Sequence, residues 1–184
     1  CISEQYAEKQ ILISTHSSFV ANKLGLGKVM LLDNLRITKF SELSEDTYNF
    51  FKKVAGYDTL RMILCKKAIL CEGDSDELVI QKAYMQLNDG RLPIEDGIEV
   101  ISVGVSFLRF LEIADCIQTK IAVVTDNDGD LAAINKKYEN YIGANQKEYI
   151  KICVDDVVDT GTLKIGKSDY NYNTLEPKLL KANG

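Results

Sequence analysis

Four short apolar segments, separated by stretches with helical spacing, constrain the fold of this chain more than any other feature. The segments are Lys67–Cys71, Ile98–Val103, Ile121–Thr125 and Tyr149–Val154. Apolar strands that alternate with helices are typical of a parallel sheet covered on both faces. The sequence therefore predicts an α/β fold with a parallel sheet of about four strands flanked by helices.

The intervening segments carry the helix signals. Apolar side chains recur at spacings of three to four residues, which places them on one face of a helix. Asp74 or Ser75 is expected to cap the first helix. The predicted helices run from there to about Leu87, from Ser106 to about Ile117, and from Leu131 to about Tyr141.

The first third of the chain has a different pattern. It begins with a strand, a helix and a strand, predicted at Gln10–Ser14, Ser17–Leu24 and Lys28–Leu32. A helical stretch follows from about Ser44, which can cap it, to Cys65, with an interruption near Gly56. Because this block opens as if within a domain, we expect the sequence to be a part of a longer protein.

Composition narrows the class of protein without deciding its function. The chain has 184 residues, 46% of them hydrophobic and 27% charged, as in ordinary globular proteins. No apolar run approaches the roughly 20 residues needed to cross a bilayer, and the first residues lack signal-peptide features. Five cysteines without a close pair, and a single histidine, indicate reduced thiols in the cytoplasm rather than a zinc site.

The net charge of −5 argues mildly against a nucleic acid partner. Two bound Mg²⁺ ions would bring the sum close to neutral, so charge alone does not decide the question. Lysines recur in pairs along the chain, either as ordinary surface residues or as a phosphate track. The pairs are Lys66/Lys67, Lys136/Lys137, Lys164/Lys167 and Lys178/Lys181.

Acidic residues follow two of the predicted strands directly. Glu72 and Asp76 come after the first strand, and Asp126, Asp128 and Asp130 come after the third. In parallel sheets, ligands bind outside the carboxyl ends of the strands. Asp126 and Asp128 are two residues apart, so they point to the same side of an extended backbone. If the two strands are neighbours, Glu72 faces this pair.

Such a cluster needs compensation. Two carboxylates about 5 Å apart repel by on the order of 3 kcal/mol at an effective dielectric constant near 20. The acids must therefore share protons or hold a cation, and oxygen ligands without histidine or thiolate favour Mg²⁺ or Mn²⁺. A structural alternative is that Asp74 and Asp76 cap a helix and that Asp128 and Gly129 form a turn.

Three motif matches do not survive inspection. Asp126, Asp128 and Asp130 imitate an EF-hand loop, but its glycine and bidentate glutamate are missing. An aspartyl phosphatase would have threonine or valine in place of Asp130. Residues 161–168, GTLKIGKS, match the P-loop pattern, yet no apolar strand precedes them and no good helix start follows. We predict a hairpin there, with a strand at Thr162–Ile165.

The motifs taken together resemble a known family. Ile69–Asp76 and Val123–Gly129 resemble the two signature motifs of Toprim domains, which occur in topoisomerases, primases and some nucleases. Leu12–Ser17 resembles the switch-histidine loop of ABC-type ATPases, and Asn173–Pro177 resembles a late motif with a metal-site glutamate. This order is similar to that of the OLD (overcoming lysogenization defect) ATP-dependent nucleases.

The resemblance implies a domain order and a set of roles. Residues 1–36 would be the tail of an ABC-type ATPase domain, residues 37–65 a helical linker, and residues 66–184 a Toprim nuclease domain whose pattern includes a further lysine after Gly184. Glu72, Asp126 and Asp128 would be catalytic. Two Mg²⁺ or Mn²⁺ ions would be held by acids from the motifs, namely Glu72, Asp76, Asp126, Asp128, Asp130 and Glu176.

The implied activity is Mg²⁺-dependent cutting or nicking of DNA by a cytoplasmic homodimer. ATP would serve only the longer parent protein, where His16 would sense the nucleotide, and this chain alone would have no ATPase activity. His16 has a structural role as its alternative. Two other functions stay open: a Toprim domain that acts on RNA or primes synthesis, and a non-catalytic module for dimerisation or DNA docking.

Overall fold

The computed structural model describes residues 10–15, 28–33, 36–53 and 57–184. In the first part of the chain, strands β1 (Met30–Asp33) and β2 (Arg36–Lys39) pair antiparallel as a hairpin. Helices α1 (Glu45–Lys53) and α2 (Tyr57–Leu64) follow. The Ser44 hydroxyl accepts a hydrogen bond from the Thr47 backbone N–H, so the predicted cap of this helical stretch is confirmed.

One prediction for this region is wrong. Residues 10–15 have neither strand nor helix, and the side chains of Ile11, Leu12 and Ile13 are exposed. An apolar run forms a strand only where a sheet covers it, and no such cover exists here within the described residues. The helix predicted at Ser17–Leu24 lies outside the described residues, as does Gly56.

The centre of the chain is a parallel sheet, as the apolar segments predict. Its strands are β3 (Lys67–Cys71), β4 (Ile98–Ser102), β5 (Lys120–Val124) and β6 (Ile150–Cys153), in the order β4-β3-β5-β6. All three pairings are parallel, with Leu70 opposite both Ile101 and Val123. Strands β3 and β5 are therefore neighbours. Their adjacency is what the predicted acidic site requires, because Glu72 follows β3 and Asp126 follows β5.

Helices α3 (Asp74–Leu87), α4 (Phe107–Ile117) and α5 (Leu131–Lys137) connect these strands. Helix α4 buries Phe107, Phe110 and Leu111 in the core, which also includes Leu70 and Val123 of the sheet. Each fully buried side chain of this kind contributes about 1.5–3 kcal/mol. The core thus holds the sheet rigid beneath its carboxyl edge.

The last segments form a second hairpin and a terminal helix. Strands β7 (Thr162–Ile165) and β8 (Ser168–Asn171) pair antiparallel, and helix α6 (Leu175–Asn183) follows. The P-loop-like residues 161–168 therefore lie in a hairpin, as predicted, and open no helix. Across the described residues, every helix falls short of the length and apolar character of a membrane span.

The four cysteines that the structure describes are free thiols, in agreement with the predicted reduced state. Burial raises the pKa of Cys71 to about 12, and the negative charge of Asp76 adds to the shift. Burial likewise raises the pKa of Cys65 to about 11. Both thiols are therefore protonated at neutral pH and are core residues rather than nucleophiles.

Candidate active site

The carboxyl edge of the sheet brings the two acidic motifs together. Because β3 and β5 run parallel with Leu70 opposite Val123, the chain leaves both strands at the same edge. Glu72 then lies one residue after β3, and Asp126 lies two residues after β5. The predicted grouping of these acids at one end of neighbouring strands follows from this register.

Asp126 is the most perturbed acid of the group. Burial raises its pKa from 3.8 to about 6, and the charges of Asp76, Asp128 and Glu72 push in the same direction. Its Oδ2 accepts a hydrogen bond of 3.2 Å from the Leu175 backbone N–H, which opposes this rise. Asp126 thus ties the first turn of α6 to the end of β5.

Glu72 faces the same group of charges. Desolvation raises the pKa of its carboxyl, the charges of Asp128 and Asp76 add to the rise, and the positive charge of Lys137 opposes it. The backbone carbonyl of Glu72 accepts hydrogen bonds from the Gly104 N–H (3.0 Å) and the Ser102 hydroxyl (3.2 Å). The turn after β4 therefore fixes the backbone from which the Glu72 side chain extends.

Asp128 extends from a tight turn that Asn127 holds in place. The Asn127 side chain is fully buried, and its Nδ2 donates to the carbonyls of Asp155 (2.8 Å) and Val157 (2.9 Å). Its Oδ1 accepts from the Gly129 N–H at 3.0 Å. Asp128 has a φ of 50°, a left-handed conformation that aspartate tolerates better than most residues.

Asp76 and Asp130 have structural partners. The actual N-cap of α3 is Gly73, not Asp74 or Ser75 as expected, and the Asp76 carboxylate accepts from the Gly73 N–H at 2.9 Å. Asp130 is the N-cap of α5 and accepts from the Ala133 N–H at 2.9 Å. Each carboxylate satisfies an otherwise unpaired amide at a helix start. The charge of Asp76 nevertheless acts on both Glu72 and Asp126.

The late motif reaches the site through its asparagine. Asn173 is buried, and its side-chain amide forms two hydrogen bonds with the backbone of Asp159. Gly129 lies so close that a Cβ there would be 3.2 Å from the Asn173 Nδ2. Glu176 is exposed in the first turn of α6, one residue after the Leu175 amide that binds Asp126.

The acids are near one another but do not form a finished metal centre. Within the described ranges, no three acidic, histidine or cysteine side chains converge closely enough to hold one ion. Like charges keep carboxylates apart, and Asp76, Asp126 and Asp130 already accept from backbone amides. The metal site that the sequence indicates therefore stays a prediction, since the described residues do not form a close group of three ligands as they stand.

The donor set is still suited to a hard divalent cation. All candidate ligands are carboxylate oxygens, which Mg²⁺ and Mn²⁺ prefer. Desolvation is the main cause of the raised pKa values of Glu72 and Asp126, and the charges of neighbouring carboxylates add to it. A cation beside these acids would stabilise their ionised forms, and the side chains of Glu72 and Asp128 are exposed.

Sequence reasoning missed two site residues and underrated a third. Asn127 and Asn173 carry the only side-chain amides that are buried among the described residues. The hydrophobic periodicity of the sequence distinguishes neither position. The signal available was position, since Asn127 stands between two acids and Asn173 opens the late motif. Lys137 was grouped with surface lysines, although its charge reaches Glu72. His16 lies outside the described residues.

Part of this chain matches a known protein family. Residues 63–128 match the model of the family described as overcoming lysogenization defect protein-like, TOPRIM domain. The match begins in α2, includes β3, α3, β4, α4 and β5, and ends at Asp128. It therefore covers Glu72, Asp76, Asp126 and Asp128, but does not reach Asp130 or Glu176. No curated protein matches the chain.

Proposed function

The chain carries a Toprim domain of the OLD-like type, and from this premise we propose that it is the nuclease part of a Mg²⁺-dependent enzyme that cuts or nicks DNA. A Toprim domain is in general a module that processes nucleic acids. The observation that carries the more specific proposal is the parallel pairing of β3 and β5, which places Glu72 and Asp126 at one sheet edge.

Glu72, Asp126 and Asp128 are the residues that would hold a first Mg²⁺ ion, with Asp76, Asp130 and Glu176 available for a second. Bound divalent ions generate a nucleophile from water near neutral pH and stabilise charge on the phosphate oxygens. Toprim domains in general bind divalent metals.

The proposed reaction is hydrolysis of one phosphodiester bond. The oxygen of water bonds to phosphorus, the bond from phosphorus to the 3′ oxygen breaks, and a proton from the water ends on that leaving oxygen. Glu72 would hold the ion or move this proton, and Glu72→Gln removes either role. Hydrogen bonds from Gly104 and Ser102 hold the Glu72 backbone at the sheet edge.

The experiment is nicking of supercoiled plasmid by the complete natural protein that contains this sequence, with Mg²⁺, with Mn²⁺ or with a chelator. Glu72→Gln and Asp126→Asn should each lower the cutting rate more than about a hundredfold, since each removes a metal ligand or an acid/base group. Binding of the plasmid should remain, because a negative charge beside the phosphates is lost.

Glu148→Gln is the matched control. Glu148 is exposed beside the start of β6, at the opposite edge of the sheet from Glu72, so the same chemical change there should leave the rate unaltered. Cutting by Glu72→Gln at the wild-type rate would remove these residues from the chemistry and favour a docking module. Cleavage of RNA but not DNA would reassign the substrate.

A further inference from the structure

Lys137 is held in an unusual way beside the acidic site. It is the last residue of α5, the helix that follows the Asp126–Gly129 loop. Its Nζ lies 5.2 Å from the centre of the Phe107 ring and 5.2 Å from the centre of the Tyr138 ring. Both rings are fully buried and pack edge to face, with centroids 6.4 Å apart. The two aromatic rings therefore restrict where this ammonium group can be.

Lys137 lies near the acids but is not ion-paired with one of them. Its Nζ lies over the ring of Phe107, which begins α4 three residues after Gly104, and the Gly104 N–H donates to the Glu72 carbonyl at 3.0 Å. In the part of the chain that the structure describes, no carboxylate lies within ion-pair distance of its Nζ. Lys178 and Lys181, by contrast, are bound to Asp155 and Asp159.

An ammonium group held by rings keeps its hydrogen-bond donors. Aromatic faces attract a cation through their quadrupole without accepting its three N–H groups in ordinary hydrogen bonds. A lysine bound to a carboxylate has already used part of this capacity. Lys137 thus combines an ammonium group placed beside two rings with N–H donors that an anion approaching Glu72 can accept from.

We propose that Lys137 binds a phosphate group of the nucleic acid strand that lies across the Glu72–Asp126 edge. The inference rests on the proposed nuclease function and adds a substrate-binding residue to it. Acids alone would repel an approaching phosphodiester, and a bound cation offsets that repulsion only at the metal itself. A lysine on the flank of the cluster supplies attraction for a neighbouring phosphate and fixes the position of the strand.

The test compares Lys137→Met and Lys137→Arg in the complete natural protein. Methionine keeps an apolar stem over the two rings but removes the charge, whereas arginine keeps the charge. Lys136→Met is the matched control, because Lys136 is exposed on the same helix, as Lys137 is, but has no aromatic ring contact among the described residues. Binding of a short DNA duplex is measured by fluorescence anisotropy between about 50 and 200 mM salt, and plasmid nicking is measured in parallel.

Lys137→Met should weaken duplex binding roughly tenfold at low salt, and the slope of log affinity against log salt should fall by about 0.9. In nicking, the loss should appear mainly in KM. Lys137→Arg should retain most of the affinity and the full salt slope, and Lys136→Met should change affinity less than about twofold. A Lys137→Met protein that binds like Lys136→Met, with an unchanged slope, would overturn the inference.

The two proposals fail in different ways. If Glu72→Gln nicks as fast as the wild type, the nuclease assignment is wrong whatever Lys137 does. If Glu72→Gln is inactive but Lys137→Met equals Lys136→Met, only the phosphate-binding role is wrong. Should Lys137→Met lower the thermal midpoint, the arginine variant still decides, because loss of the salt slope in a folded Lys137→Arg protein contradicts a charge-based role.

Discussion

Two groups of acids lie close together in this molecule, and their pKa values are shifted in opposite directions. Asp155 and Asp159 follow β6, and hydrogen bonds from Lys178 and Lys181 of α6 lower the pKa of each. Glu72 and Asp126 follow β3 and β5, and both have raised pKa values. Lysines of α6 therefore form ion pairs with the first group of acids. Among the described residues, no lysine is ion-paired with Glu72 or Asp126, where we propose that a cation binds.

The difference bears on the roles of the two groups. Paired acids at the α6 attachment stabilise a contact at any pH where they are ionised. Glu72 and Asp126, by contrast, oppose folding when ionised. Acids with raised pKa values are common at functional sites, and this is one reason why we propose that they bind a cation.

Asn127 joins the two groups, and its removal should give the largest change in stability. Asn127→Ala removes a fully buried amide and leaves the carbonyls of Asp155 and Val157 and the Gly129 N–H without this partner. We expect a loss of about 2–4 kcal/mol in the free energy of unfolding. Urea denaturation followed by circular dichroism measures it.

Asn135→Ala is the control for Asn127, because Asn135 is an exposed asparagine in α5. It should change the free energy of unfolding by less than about 0.5 kcal/mol. Equal effects of the two substitutions would mean that Asn127 does not clamp the acidic turn to the segment after β6.

The unpaired group should reveal itself in the pH dependence of stability. The folded-state pKa of Asp126, about 6, exceeds its ordinary value of 3.8, so the folded protein binds this proton more tightly than the unfolded chain. The stabilisation is complete below about pH 4 and is lost as the pH rises towards and through 6. Relative to Asp126→Asn, the wild type should lose on the order of 1–2 kcal/mol, after allowance for solvent screening.

Thermal unfolding between pH 4 and pH 7.5, without divalent ions, measures this difference. Millimolar Mg²⁺ at pH 7.5 should raise the melting temperature of the wild type, and should do so less in Asp126→Asn. Parallel pH profiles for the two proteins would show that Asp126 is not held among uncompensated charges.

The paired group should give the smallest effect, with the opposite pH trend. The pKa of Asp155 is lowered, so its contribution is present above its ordinary value of 3.8 and is lost as the pH falls through its lower folded-state value. Lys178→Ala should lower the melting temperature slightly at pH 7, less than Asn127→Ala does, because exposed ion pairs contribute little.

Lys164→Ala serves as the comparison for Lys178, since Lys164 is an exposed lysine of β7. If the effect of Lys178→Ala stays unchanged however far the pH falls below the ordinary Asp155 pKa of 3.8, charge pairing with Asp155 is not its cause. If it exceeds the effect of Asn127→Ala, the ion pair contributes more to stability than the buried amide does.

The sheet and its acidic edge could be predicted because both leave local signals. Each buried strand is a continuous apolar run, and parallel strands end at the same edge, so Glu72 and Asp126 were located from position alone. The hairpin at residues 162–171 was predicted because no helix start follows Gly166-Lys167-Ser168.

What could not be predicted depends on contacts between distant segments. Asn127 binds carbonyls 28 and 30 residues further along the chain, and Asn173 binds the backbone of Asp159, 14 residues before it. A buried amide has no periodic signature, so nothing distinguishes it from a loop asparagine. The N-cap of α3 is Gly73, one residue before the predicted Asp74, for a local reason. Gly73 has no side chain that could cap the helix, and its N–H instead donates to the Asp76 carboxylate.

The hydrogen bond from the Leu175 N–H to Asp126 joins residues 49 positions apart, and this has a consequence for the order of events during synthesis. A ribosome adds about 5–20 residues per second, so Leu175 is made roughly 2–10 s after Asp126. Strands β3 to β6 can pair during that interval, but the edge of the sheet still lacks the turn that carries Glu176. A nascent chain would therefore pass through a stage in which the central sheet is paired while the Asp126 carboxylate still lacks its hydrogen bond from the Leu175 N–H.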